Sequence, residues 1–258
     1  MILLFVPWDL NIGCDGTVLP VERQRIYAEV DAKVAEIKIQ HSSRVVAGEE
    51  MMRMSSNRLK IELQELVGQQ DSTRKELQAA QTRGHFKDKQ NEAVNAGQSI
   101  ETLEAILANL DEQIKLVKQK QQKLVVTSPL IGEVITWDFV DRLFARPVKD
   151  GDFLVEVANV DGPWEIELAL PDKKVGQVVR AIENSSKPLV VSFILASEPN
   201  RTYQGRLKSI ARSTQLQSDN KQSVRVIVEF DSEKIDLQQA RSGVRAKIHC
   251  GKRSLGYV

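Results

Sequence analysis

Three histidines, two cysteines and a pair of aspartates beside aromatic rings are the residues of this chain whose types could do chemistry. Catalysis needs a base joined to a nucleophile or a metal in supporting geometry. His41, His85 and His249 fall in a predicted turn, at a predicted helical tip and in a predicted strand, so they are not expected to meet. His249 and Cys250 are neighbours on that strand and should face opposite ways, which favours a packed cysteine beside an exposed histidine over a metal pair. Two cysteines are too few for a disulfide framework or a closed zinc site. A bridge between Cys14 and Cys250 would need their α-carbons within about 7 Å, and two unpaired thiols are expected instead. Asp138 and Asp141, beside Trp137 and Phe139, read either as paired acids or as a solvated loop, and the loop is preferred. The sequence holds no P-loop, nucleophile elbow or HExxH motif. No catalytic residue, cofactor or metal ligand is assigned. One cluster points towards a partner: Arg83, His85, Phe86, Lys87 and Lys89 place four basic side chains around one aromatic. It reads either as a contact surface or as the ordinary polar make-up of a turn.

The elements that must carry these residues change character along the chain. Residues 26–48 show a two-residue alternation, with Val34, Ile37 and Ile39 among charged neighbours, which predicts short half-buried strands. Val45-Val-Ala-Gly48 follows, and the same pattern returns about 100 residues later as Val148-Lys-Asp-Gly151, an internal repeat. Each copy also has a small residue two before a valine upstream, Ala32 with Val34 and Gly132 with Val134. Ser128-Pro129 opens the second copy, where proline suits the beginning or edge of a strand.

Between the copies the period is helical. Ala93, Ala96, Ile100, Leu103, Leu107, Leu110, Ile114, Val117 and Leu124 keep alternating steps of three and four, interrupted at Gln121. Leu59, Leu63, Leu66, Leu77 and Ala80 keep the same register upstream, with polar gaps at Gln70 and Thr73. Two helices of about 35 residues at 1.5 Å rise would make an antiparallel rod roughly 50 Å long that returns the chain to its point of departure. Met51, Met52 and Met54 are expected to fill the junction between rod and strands. From Gly162 onward strand patterns dominate, broken by Val175, Val178, Val179 and Ile182 at helical spacing, and about six strands with one helix suggest a small barrel.

The bulk numbers agree with such a modular chain. At 258 residues it exceeds the usual single-domain size. A balance of 36 basic and 35 acidic residues gives a net charge of +1 and offers no electrostatic case for nucleic acid. With 5% aromatic and 28% charged residues, long solvated helices with small β modules are favoured over one large core. The apolar start, Met1 to Val6, falls far short of the about 20 residues that span a bilayer. It reads as the outgoing end of a membrane helix with Trp8 at the interface, or as a buried N-terminal strand; the former is preferred.

The split repeat, the Ser128-Pro129-x-x-Gly132-x-Val134 opening and the heptad helices between the copies together resemble the HlyD-type membrane-fusion family, the periplasmic adaptor subunits of efflux pumps and type I secretion systems. The resemblance covers residues 25–258. It implies an elongated, multi-module α+β chain: an N-terminal segment over 1–24, a split lipoyl-like domain over 25–48 and 126–159, an α-helical coiled-coil hairpin over 49–125, and a β-barrel domain over 160–258. Gly48, Gly132 and Gly151 become its lipoyl-like turn residues. It further implies a periplasmic, inner-membrane-anchored homo-oligomer that links an inner-membrane transporter to outer envelope components, with an outer-membrane channel as a second partner, although the Arg-Leu-Ser tip pattern of many members is not found. Two other functions fit the residues less well. A lipoyl or biotin carrier would join its half-motifs by a tight turn bearing a lysine, whereas here about 80 residues intervene and no Met-Lys-Met occurs. A structural coiled-coil scaffold without a transport role is the remaining alternative.

Overall fold

Alternation of apolar and polar residues over Trp164–Pro171 (β10) buries every second side chain, and the same rhythm recurs in Val190–Leu195 (β11), Gln222–Phe230 (β13) and Gly243–Ser254 (β14). The computed structural model describes residues 7–84, 90–216, 222–231 and 242–254. With Tyr203–Leu216 (β12) and Pro7–Pro20 (β1), these strands close an antiparallel barrel in the order β1-β10-β13-β12-β11-β14. Val18, Ile166, Leu168, Val191, Val226, Val228 and Ile248 fill its interior. Helix α4 (Asp172–Glu183) packs on this core through Val178 and Ala181.

Strand β1 corrects one expectation. Residues 7–20 do not form the end of a membrane helix with a linker; they lie between β10 and β14, with Val18 opposite Ile166 and Ile12 opposite Ile248. The barrel therefore does not lie within 160–258 alone, since its sixth strand comes from the N-terminal segment. The physical reason is the alternation in Ile12-Gly-Cys14-Asp-Gly-Thr-Val18, whose inward members complete the core. No described helix is long and apolar enough to cross a membrane.

The chain divides into two compact units, Met1–Arg23 with Ala158–Val258, and Gln24–Val157. The second unit holds two four-stranded sheets. One runs β2 (Arg23–Tyr27), β9 (Phe153–Ala158), β7 (Gly132–Val134), β4 (Arg44–Val45); the other runs β6 (Val125–Thr127), β5 (Glu50–Ser55), β3 (Ala32–Ile37), β8 (Pro147–Val148). Their shared core contains Val34, Val45, Val134, Val148, Leu154 and Val157 together with Met51, Met52 and Met54. The methionines thus sit inside the sheets' core.

Two long helices, α1 (Asn57–Gly84) and α2 (Gln90–Gln122), leave and re-enter this unit between β5 and β6. They run antiparallel. The Met54 N–H donates to Leu124 O at 2.8 Å at the base, and further out Gln70 hydrogen-bonds Asp111. Leu59, Leu110, Ile114 and Val117 are buried along the seam, with Leu66, Gln70, Leu103 and Leu107 partly buried.

Candidate functional site: two interlocked half-motifs and the helices inserted between them

The turn Val45-Val-Ala-Gly48 needs a left-handed residue to send β5 back, and Gly48 supplies φ +83 there; Gly151 supplies φ +87 in the second copy. Each turn is braced by its own acid. The Val46 N–H donates to Glu49 Oε2 at 2.8 Å, and the Lys149 N–H to Asp152 Oδ2 at 2.7 Å.

Each glycine then reaches across to the other copy. The Gly48 N–H donates to Ser128 O, and the Gly151 N–H to Ala28 O, both at 2.8 Å. The return bonds match as well, Ser128 N–H to Glu49 O and Ala28 N–H to Asp152 O, both at 2.9 Å. In the ladders Val45 lies opposite Gly132 and Val148 opposite Ala32, so the third predicted turn glycine is the partner of the first copy's valine. Ser42 and Ala145 complete the correspondence. Both are left-handed, and their N–H groups donate to Val134 O and Val34 O respectively. Neither half-motif can satisfy its backbone without the other.

The second copy carries extra residues around Trp137–Phe144, and they form helix α3 (Phe139–Leu143). Phe139 and Leu143 are buried in the sheets' core, so this stretch is a plug, while Trp137 is 76% exposed. Asp138 is the left-handed residue before α3 and Asp141 lies in its first turn. His41 hydrogen-bonds Thr136 O through Nδ1 at 3.2 Å and packs edge-to-face on Trp137.

The bases of the helices are held by one short segment. Lys123 pairs with Glu29 at 2.9 Å, and Arg58 with Asp31 at 3.6 Å. The hydrogen bond with Glu29 and its negative charge hold the Lys123 ammonium above the usual lysine range. Lys38, donating to Glu50 at 2.8 Å, holds that carboxyl below the usual range. These exposed pairs orient the junction more than they stabilise it.

Of the predicted contact cluster, Arg83 lies in the last turn of α1, and His85, Phe86, Lys87 and Lys89 lie outside the described residues. His249 makes contacts that pattern reasoning missed. Its Nε2 lies 2.6 Å from Ser192 Oγ and its Nδ1 2.7 Å from Asn11 Oδ1, linking β11, β14 and β1. Adjacent Cys250 is buried, as strand alternation requires. Cys14 faces Ala246 across the β1–β14 ladder, and both cysteines are buried and outside any disulfide. Burial, then the charges of Asp15 and Cys250, push the Cys14 thiol up to about 12. Among the described residues no group of three or more His, Cys, Asp or Glu side chains could hold a metal ion.

No family model matches the sequence, and no curated protein matches it. Solved structures do match. The membrane fusion protein Spr0693 from Streptococcus pneumoniae R6 superposes with a TM-score of 0.61 at 15% identity, over 92% of this chain and 98% of that one. ZneB from Cupriavidus metallidurans gives 0.60 at 12% identity, over 93% and 98%. A MacA–MexA chimeric protein containing the Pseudomonas aeruginosa MexA α-hairpin domain gives 0.58 at 14% identity, over 96% and 84%. A closed six-stranded barrel, two interlocked half-motifs and a pair of long helices are found in one chain, and its fold is similar to that of these solved structures, a membrane fusion protein among them.

Proposed function

We propose that this chain is a non-enzymatic adaptor subunit that holds an inner-membrane transporter in register with outer envelope components during efflux or secretion, and that it works as a homo-oligomer. The observation that carries the reading is the reciprocal bonding of the two half-motifs around an inserted helical pair. A lipoyl-like domain closed in this way fixes both bases of an antiparallel coiled coil, and a stiff arm on a fixed base transmits position and movement without chemistry. In a carrier of the lipoyl kind, the place between the half-motifs would bear the modified lysine; here the helices occupy it. We read 24–56 with 124–157 as the lipoyl-like domain, 57–122 as the hairpin and the barrel with β1 as the transporter-side or neighbour-facing module. We assign the protein to the periplasm and its inner-membrane anchor to chain preceding Pro7. The basic cluster around Phe86 is the surface we assign to the distal partner, an outer-membrane channel included.

Photo-crosslinking residues placed at Phe86 and at exposed Arg245 of the full-length protein, in its native cell, test this reading. Capture of a transporter or channel component from either position, together with self-crosslinks, is the expected outcome. Self-crosslinks alone from both positions would favour a scaffold without a transport role.

A further inference from the structure

The apolar arc of α4 is wider than the barrel core requires. Val178 and Ala181 point into that core, yet Val179 and Ile182, each 38% exposed, lie on the helix flank. Against this flank stands a cavity of about 870 Å³, walled by α4, by residues 185–189 and by β12, with Val175, Leu207 and Ile210 adding to its apolar surface. Small-molecule sites enclose roughly 300–1,000 Å³ and combine apolar walls with a few placed polar groups.

The charges of this cavity are sorted along its length. Lys187 follows the C-terminal end of α4, and Lys208 stands beside that end because the Leu207 N–H donates to Leu189 O at 2.9 Å. Asp172 lines the opposite end, where α4 begins, roughly 16 Å away along the helix axis. Both lysines are exposed, and among the described residues neither has an ion-pair partner. Two ammonium groups at one end, an apolar trough and a carboxylate at the other suit a ligand with a negative head and a long apolar tail.

We propose that this groove binds one amphiphilic anion, a long-chain acyl carboxylate, with its headgroup between Lys187 and Lys208 and its chain along Val179 and Ile182. Asp172 repels the headgroup from the other end and so sets the ligand's direction. Such a site goes beyond the adaptor role and stands independently of it.

Titration of the full chain with hexadecanoate below its micelle concentration, followed by calorimetry, tests the site. Saturable binding of one ligand per chain is expected, weakened at least tenfold by the double substitution Val179→Glu with Ile182→Glu. Lys187→Glu with Lys208→Glu, both on the surface, should weaken it similarly while circular dichroism stays unchanged. Absence of saturable binding, equal binding of hexadecanol, or affinity unmoved by both double variants would overturn the proposal. So would a ligand-free loss of oligomer mass in the Val179→Glu, Ile182→Glu variant, which would give the groove to a second copy of the chain.

Discussion

Positive φ angles occur at equivalent places in the two half-motifs, at Gly48 and Gly151 and again at Ser42 and Ala145. A Cβ built on Gly48 or Gly151 meets nothing within 4 Å, so substitution there costs backbone energy alone. Gly48→Ala is expected to lower stability by about 1 kcal/mol. Ala145→Gly should act oppositely, raising it by up to about 1 kcal/mol by relieving a left-handed alanine. Denaturant midpoints of the two variants check the opposed signs, and a shift in the same direction would contradict them. Cys14 adds a pH dependence. Its folded pKa is raised from 9.0 to about 12, so the thiol's contribution to stability is intact below pH 9 and is lost as pH climbs towards 12. Cys14→Ala should therefore flatten the decline in stability over that interval, measured by thermal unfolding. At this scale Gly48 and Gly151 have the left-handed backbone that favours glycine in a turn, whereas Gly132, expected as a third turn residue, lies in strand β7. The Ser42–Ala145 equivalence was not legible in the sequence, since neither type advertises that conformation. The contact of His249 with Ser192 and Asn11 depends on register among three strands distant in sequence, which no local pattern encodes.

The helices illustrate how a local period survives folding. Leu110, Ile114 and Val117 stand in the heptad register and are buried, whereas Leu116, one position out of register, is 52% exposed. Leu110→Ala is expected to cost about 2 kcal/mol or more, and Leu116→Ala to stay within about 0.5 kcal/mol, as read from thermal melts of helical circular dichroism. Equal losses at the two positions would mean that the seam does not hold the pair together. The seam was readable because all its information lies within a few turns. Strand β1 departs from the sequence expectation for the converse reason: its partners β10 and β14 lie some 150 and 240 residues away, and the apolar residues just before it imitate the end of a membrane helix. The short helix α3 looks in sequence like a solvated loop because its two core-facing residues, Phe139 and Leu143, sit among charges.

The barrel unit is assembled from two separate stretches, and the sheets of the Gln24–Val157 unit pair strands from both sides of the inserted helices, so each closes only when its later part arrives. Removing residues 1–23 should leave the Gln24–Val157 unit intact while stripping the barrel of the strand between β10 and β14, exposing two unpaired edges. Amide exchange of the shortened chain is expected to retain protection in β3, β5 and α2 and to lose it in β10, β13 and β14. Retained protection in those barrel strands would show that β1 is dispensable for closure. The bond from Met54 to Leu124, at the end of the β5–β6 pairing, has a broader consequence. Because departure and return are tied at one threshold, the sheets register nothing of how far the arm extends beyond it. Seven residues added to or taken from each helix would preserve the phase of the seam and change the reach by roughly 10 Å. The reach of the helical pair is thus a parameter that lineage or engineer can retune without redesigning its foundation.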